Sequence, residues 1–218
     1  MPRIARVVVP GVPHHITQRG VRRMNVFFSD ADRRAYLDLL AEQGKRFGVH
    51  YLAWCLMPNH VHLVAIPGSE LSLAKGIGEA HKRYSRRVNF RESWRGYLFQ
   101  GPFFSCPLED TQVLTAIRYV LRNPVRAGIA KKPWEYLWSS ARWLVGELSG
   151  DPLAENSTLL QEIDDWRALL CDAPQELDEL RRHTRTGRPL GSQEFLLRVE
   201  QSTGRALHLR KPGPKKKK

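Results

Sequence analysis

Residues 49 to 66 constrain this chain more than any other stretch. Two apolar runs flank Met57-Pro58-Asn59, so residues 49 to 56 and 60 to 66 read as strands joined by a tight turn. The second strand opens with His60-Val61-His62, and side chains two apart on a strand point to one face. Two neutral imidazoles side by side form a bidentate grip on a divalent metal. A strand with one hydrogen-bonded and one solvent-edge histidine has the same spacing.

The neighbouring patterns extend this hairpin into a sheet. Residues 12 to 19 read as a first strand, and Ser29-Asp30-Ala31-Asp32 supplies cap chemistry for a helix reaching Arg46. A second helix is expected from Leu71 to about Asn89, and a fourth strand from Tyr97 to Phe104. The order β-α-β-β-α-β predicts an α+β, ferredoxin-like antiparallel sheet with helices on one face and the other face free for a ligand. A third helix is expected from Thr111 to about Arg122, ended by Pro124 and Gly128. Trp134, Trp138 and Trp143 are read as core residues. The expected organisation is a domain over 1–146, an acidic, partly helical segment over 147–180, and a basic, largely flexible tail over 181–218, the last two forming a C-terminal extension.

Charge separates these regions. The net charge is +13, and residues 1–146 hold 22 Lys and Arg against 10 Asp and Glu. Residues 147–180 hold 1 against 10, and residues 181–218 hold 12 against 2. A basic body with a basic tail points to a polyanion, most plainly nucleic acid. The acidic segment is a candidate arm over the basic groove. Arg185-Thr186-Gly187-Arg188-Pro189 and Lys211 to Lys218 are candidates for minor-groove and non-specific contacts. The first fourteen residues do not resemble a secretion signal, and Pro58, Asn59 and the histidines break the one uncharged stretch, so no membrane span is expected. Cys55, Cys106 and Cys171 are odd in number and form no CxxC pair, which fits a reducing cytoplasm.

A metal on two histidines needs a third ligand and a task. Of six tyrosines only Tyr119 has an amide four residues on, at Asn123, which places phenol and carboxamide on one helical face. By spacing alone the pair also suits a core tyrosine and a helix-terminal asparagine.

Three runs in order, Leu56-Met57-Pro58-Asn59-His60-Val61-His62-Leu63, Arg118 to Gly128, and Trp138-Ser139-Ser140, resemble the single-tyrosine HUH transposases, and more closely the REP-associated tyrosine transposases, over about residues 10 to 145. The resemblance implies a ferredoxin-like core, His60, His62 and Asn123 as ligands of Mg²⁺ or Mn²⁺, and Tyr119 as nucleophile. The implied activity is nicking and rejoining of single-stranded or hairpin DNA through a 5′-phosphotyrosine. An ordinary phenol, with a pKa of about 10, attacks poorly at neutral pH, so a metal, base or cation must help it. Expected DNA contacts are His14, Gln18, Arg19, Arg22 and Arg23 near the first strand, Lys82, Arg83, Arg86 and Arg87 on the second helix, and Arg122 and Arg126 beyond the third. Where the family usually has histidine and arginine, this chain has Tyr97 and Pro102, which points to weaker DNA binding or cleavage or to a different sequence being read. The assembly is expected to be monomer or homodimer. The alternatives are a palindromic-repeat binding protein without turnover, and a two-histidine phosphoesterase that uses metal-activated water and not Tyr119.

Overall fold

The computed structural model describes residues 4–172 and 177–208. Four strands, β1 (His14–Arg19), β2 (Val49–Met57), β3 (His60–Pro67) and β4 (Phe104–Pro107), form one sheet in the order β2-β3-β1-β4, with each neighbouring pair antiparallel. Helices α1 (Asp30–Phe47) and α2 (Ser72–Arg91) cross over one face. This is the expected ferredoxin-like order.

Strand periodicity sorts the core into two halves. Ile16, Trp54, Leu56, Val61, Leu63 and Ala65 pack with Tyr36, Leu40, Leu73, Ile77 and Tyr84 of α1 and α2. Cys55, Met57 and Val64 point the other way, joined by Leu52 and Ala53, where the ladder shifts register between Tyr51 and Ala53. That second face is only partly free. Helix α3 (Asp110–Leu121) lays Val113, Ala116, Ile117 and Val120 over β2 and β3. Strands covered on both sides read as continuous apolar runs, as β2 and β3 do. Trp134 is buried in this second core, and Trp138 and Trp143 pack at its margin.

Two start-and-stop devices fix the first helix. Ser29 caps α1 by accepting from the Asp32 N–H, and Gly48 closes it with φ 64°. The Asp32 carboxylate accepts from the Phe28 N–H and from Arg91 at the end of α2. Burial works to raise its pKa, but Arg91 and the backbone N–H groups outweigh burial and hold it below the usual carboxylate range.

Two expectations are corrected. The fourth strand lies at Phe104–Pro107, not at Tyr97 to Phe104. Residues 96 to 103 form a strap instead, because Gly96 and Gly101 take φ of 98° and 105° and Pro102 lacks an N–H for the ladder. Leu98, Phe99 and Phe103 anchor the strap in the first core. The region from 181 to 208, expected to be largely flexible, holds most of α8 (Leu177–Thr186) and all of α9 (Gln193–Thr203). Leu180 is buried against the second core, and Phe195 and Val199 pack with Val7 and Leu207. Ser192 and Gly204 cap α9 at its two ends. Between α3 and α8 come short turns of helix, α4 (Asn123–Arg126), α5 (Ala141–Leu144), α6 (Thr158–Gln161) and α7 (Trp166–Cys171).

Gly44 and Gly76 let α1 and α2 settle on β2. A Cβ on Gly44 would lie 2.7 Å from Cε2 of Tyr51 and 3.2 Å from the Val49 carbonyl oxygen, and one on Gly76 would lie 2.8 Å from Val49 Cγ2. Gly44→Val is therefore expected to cost about 1–3 kcal/mol by overpacking. Urea denaturation monitored by tryptophan fluorescence measures it, and an unchanged midpoint would contradict this packing.

Candidate active site

The pairing of β1 with β3 builds the floor of the site. Thr17 stands opposite His62, and Arg19 opposite His60. His15, Thr17 and Arg19 therefore share a face with the two histidines. From above, α3 contributes Tyr119, α4 contributes Arg126, and α8 contributes Arg181, Thr184 and Arg185. Together they line a cleft of about 560 Å³.

Distances show how close the reactive groups are. The Tyr119 ring stands edge-on to His62, with centroids 5.3 Å apart, and to His15 at 5.5 Å. His60 and His62 lie 5.0 Å apart between ring centroids. Arg126 sits 4.9 Å from the Tyr119 ring centroid and Arg181 5.6 Å, and Arg181 Nε donates to the Tyr119 hydroxyl oxygen at 3.5 Å. Five arginines, Arg19, Arg23, Arg126, Arg181 and Arg185, line this cleft, and among the described residues no carboxylate lines it. Such a wall favours an anion strongly.

The histidines are poised as neutral donors. Burial, then the charges of Arg19 and Arg126, pushes His60 down to about 4. Burial, followed by His60 and His15, pushes His62 well below the usual imidazole value. His60 Nδ1 bonds Asn59 Oδ1 at 2.6 Å, and His62 Nδ1 bonds His15 Nε2 at 3.1 Å. His62 Nε2 is buried with no hydrogen-bond partner. A buried bare nitrogen beside a second neutral imidazole suits a divalent metal. Among the described residues no group of three or more His, Cys, Asp and Glu is placed to hold a metal. Further donors would be an amide, water or a substrate oxygen.

The expected site residues divide. His60, His62, Tyr119, Gln18, Arg19, Arg23 and Arg126 all line the cleft. Asn123, expected beside the histidines, is turned into its own chain. Its Nδ2 donates to the Tyr119 and Val120 carbonyls at 2.8 and 3.2 Å, and its Oδ1 accepts from Arg126. At the junction of α3 and α4 these carbonyls lack full helical partners, and the amide takes their place. His14 faces away from the cleft, fully buried with Nδ1 on the Val12 carbonyl at 2.7 Å. Arg22 is exposed beside the cleft and does not line it. Arg122 donates to the Leu170 and Cys171 carbonyls and so closes α7. Lys82, Arg83, Arg86 and Arg87 lie on α2, across the sheet. Arg83 pairs with Glu42 and Lys82 with Glu79. Lys82 borders a second cavity, shared with Tyr97, Pro102 and Gln18. Tyr97 is 85% exposed, and neither it nor Pro102 reaches the Tyr119 cleft.

Sequence reading missed His15, Arg181 and Thr184, and gave Arg185 only as part of a minor-groove hook. The signal for His15 was present, since strand alternation from His15 through Thr17 to Arg19 selects it over His14. No local pattern placed α8 at the cleft. The first part of the acidic segment lies away from it: Asp151 accepts from Trp54 Nε1 at 2.7 Å, and Ala154 bridges Tyr51, both at the far strand β2. Arg188, read as part of a groove hook, instead donates to the Leu207 carbonyl at 3.1 Å. Lys211 to Lys218 lie outside the described residues.

Comparison with known proteins identifies the family and the fold. The family model described as "Transposase IS200 like" matches residues 9–123. The solved structure of a REP-associated tyrosine transposase bound to a REP hairpin is similar, with a TM-score of 0.58 and 15% identity over 73% of this chain and 96% of its own. A candidate transposase from Deinococcus radiodurans R1 gives a TM-score of 0.38 at 18% identity, over 58% of this chain and 92% of its own. No significantly similar relative is found among curated proteins. No described helix is long and apolar enough to cross a membrane.

The two arginines that flank Asn123 are expected to separate by experiment. Arg122→Ala removes the donor to two carbonyls at the end of α7 and should lower unfolding stability by about 1–2 kcal/mol. Arg126→Ala should leave the α7 contact intact. Thermal unfolding of both variants checks this, and equal melting points for Arg122→Ala and the native chain would contradict it.

Proposed function

The chain belongs to the IS200-like transposase family, and from that premise we propose that it nicks and rejoins single-stranded or hairpin DNA with Tyr119 as nucleophile. One observation carries the reading. The Tyr119 hydroxyl shares an arginine-lined cleft, without a carboxylate among its described lining residues, with two neutral histidines, one of which holds a bare buried nitrogen.

His60 and His62 would hold Mg²⁺ or Mn²⁺, which when bound supplies Lewis-acid polarisation of the scissile phosphate. Asn123 joins them as an amide donor only if its Oδ1 leaves Arg126. Arg19, Arg23 and Arg185 hold the flanking phosphates, and Phe104 offers an apolar ring to a base. Arg181 directs the Tyr119 oxygen through its Nε donor, and Arg126 adds positive charge over the ring. The phenolic oxygen forms a bond to phosphorus as the bond to the 3′-oxygen breaks. The proton lost by the phenol is balanced by the one gained at the 3′-oxygen. A 5′-phosphotyrosine and a free 3′-hydroxyl result, and reversal with another 3′-hydroxyl rejoins strands without ATP.

The test uses hairpin oligonucleotides labelled at either end, incubated with Mg²⁺ or Mn²⁺ and run on denaturing gels. A covalent adduct is expected on the 5′-phosphate end of the fragment downstream of the break, absent in Tyr119→Phe. Binding without an adduct would instead identify a recognition protein, and cleavage that survives Tyr119→Phe would identify a water-using phosphoesterase. Arg181→Ala is expected to slow adduct formation at least about tenfold, because it removes the donor to the nucleophile. An unchanged rate would remove Arg181 from the mechanism.

A further inference from the structure

We propose that Thr184 and His15 are positioning residues that fix the tautomer of His62, so that its Nε2 presents a lone pair to a divalent cation. The inference rests on the metal-binding reading of His60 and His62. It begins in α8, beyond the residues that the family model matches.

Proton counting carries the argument. The Thr184 hydroxyl has one hydrogen, and it donates to the Leu180 carbonyl at 2.8 Å, the back-bond common for threonine in a helix. Its oxygen can then only accept from His15 Nδ1, 2.7 Å away, so His15 carries its proton there. Cys106 Sγ, 3.3 Å from the same oxygen, agrees, because burial pushes that thiol up to about 12 and keeps its S–H as a donor. His15 is buried against the uncharged side chains of Thr184 and His62, where an added charge would be costly, so with its proton on Nδ1 its Nε2 bears only a lone pair. His15 Nε2 therefore accepts from His62 Nδ1 at 3.1 Å. A neutral His62 protonated at Nδ1 leaves Nε2 bare, and this is the buried nitrogen without a partner. The ring planes of His15 and His62 lie 9° apart, with centroids at 5.3 Å, so the relay also sets ring orientation. Outer partners that orient a ligating histidine are worth about tenfold to a hundredfold in metal affinity.

The reverse assignment fails on the same count. With the proton on His62 Nε2, a buried N–H would point at no acceptor, and His15 would have to donate from Nε2 across the 3.1 Å contact, which requires the Thr184 hydroxyl to leave the Leu180 carbonyl and donate to His15 Nδ1 instead.

The test needs no DNA. Long-range ¹⁵N–¹H correlation on the metal-free, full-length protein at neutral pH is expected to show His62 protonated at Nδ1. Thr184→Val, which keeps the shape but removes the acceptor, is expected to mix the tautomers and weaken Mn²⁺ binding, read by electron paramagnetic resonance, by about tenfold to a hundredfold. Thr184→Ser is expected to restore both. If Thr184→Val fails to fold by circular dichroism, His15→Phe takes its place, with the same loss of Mn²⁺ affinity expected. A native His62 protonated at Nε2 overturns the relay, as does native Mn²⁺ affinity in a folded Thr184→Val. Mn²⁺ held as tightly by His62→Ala as by the native chain overturns the metal-binding reading instead, whatever the tautomer.

Discussion

The antiparallel register of β1 against β3 determines most of what this molecule can do. With Thr17 opposite His62 and Arg19 opposite His60, the two imidazoles gain a third, His15, as a diagonal neighbour, and a guanidinium beside the outer one. A slip of one residue would put His14 and Gln18 there and bury Thr17 among the aromatic rings of the first core. The register is held from both sides. β4 pairs with the other edge of β1, matching His15 with Cys106 and Thr17 with Phe104. Ile16 faces α1 and α2, and its burial makes the alternative register expensive.

Around that register the chain separates two electrostatic jobs. The floor of the cleft is dry, so burial keeps its histidines neutral and leaves their lone pairs available. The walls are wet enough to hold five guanidinium groups, of which Arg181 pairs with Asp178 at 3.0 Å, outside the residues that line the cleft. Neutral nitrogens below and fixed positive charge above make a site that attracts a polyanion and a cation at once. The carboxylates are spent elsewhere: Asp32 on Arg91, Asp151 on Trp54, and Glu109 on the start of α9.

Much of this was readable from short patterns. The hairpin at Pro58-Asn59 and the alternation through His60 and His62 gave the correct face, because a two-residue period survives any tertiary context. Ser29 and Gly48 bounded the first helix for equally local reasons. The fourth strand was misplaced because Tyr97 to Phe104 is as apolar as a strand. Its glycines and Pro102 break the ladder, while its rings fill the core from a strap. The orientation of Asn123 was beyond any spacing argument, since an amide at a helix junction chooses between ligand and cap according to which groups lie within reach.

The sequence by itself determined the order of the sheet, the shared face of His60 and His62, the presence of Tyr119 on the following helix, and the excess of positive charge. These depend on periodicity and composition, which act over a few residues or sum over many. Only the tertiary structure decided that α8, from a region whose charge resembled a solvent-exposed tail, closes the cleft with Arg181, Thr184 and Arg185. It also decided that His15 rather than His14 touches His62. A contact across more than a hundred residues, such as Thr184 with His15, leaves no local trace, because it is set by how Leu180 packs against the second core.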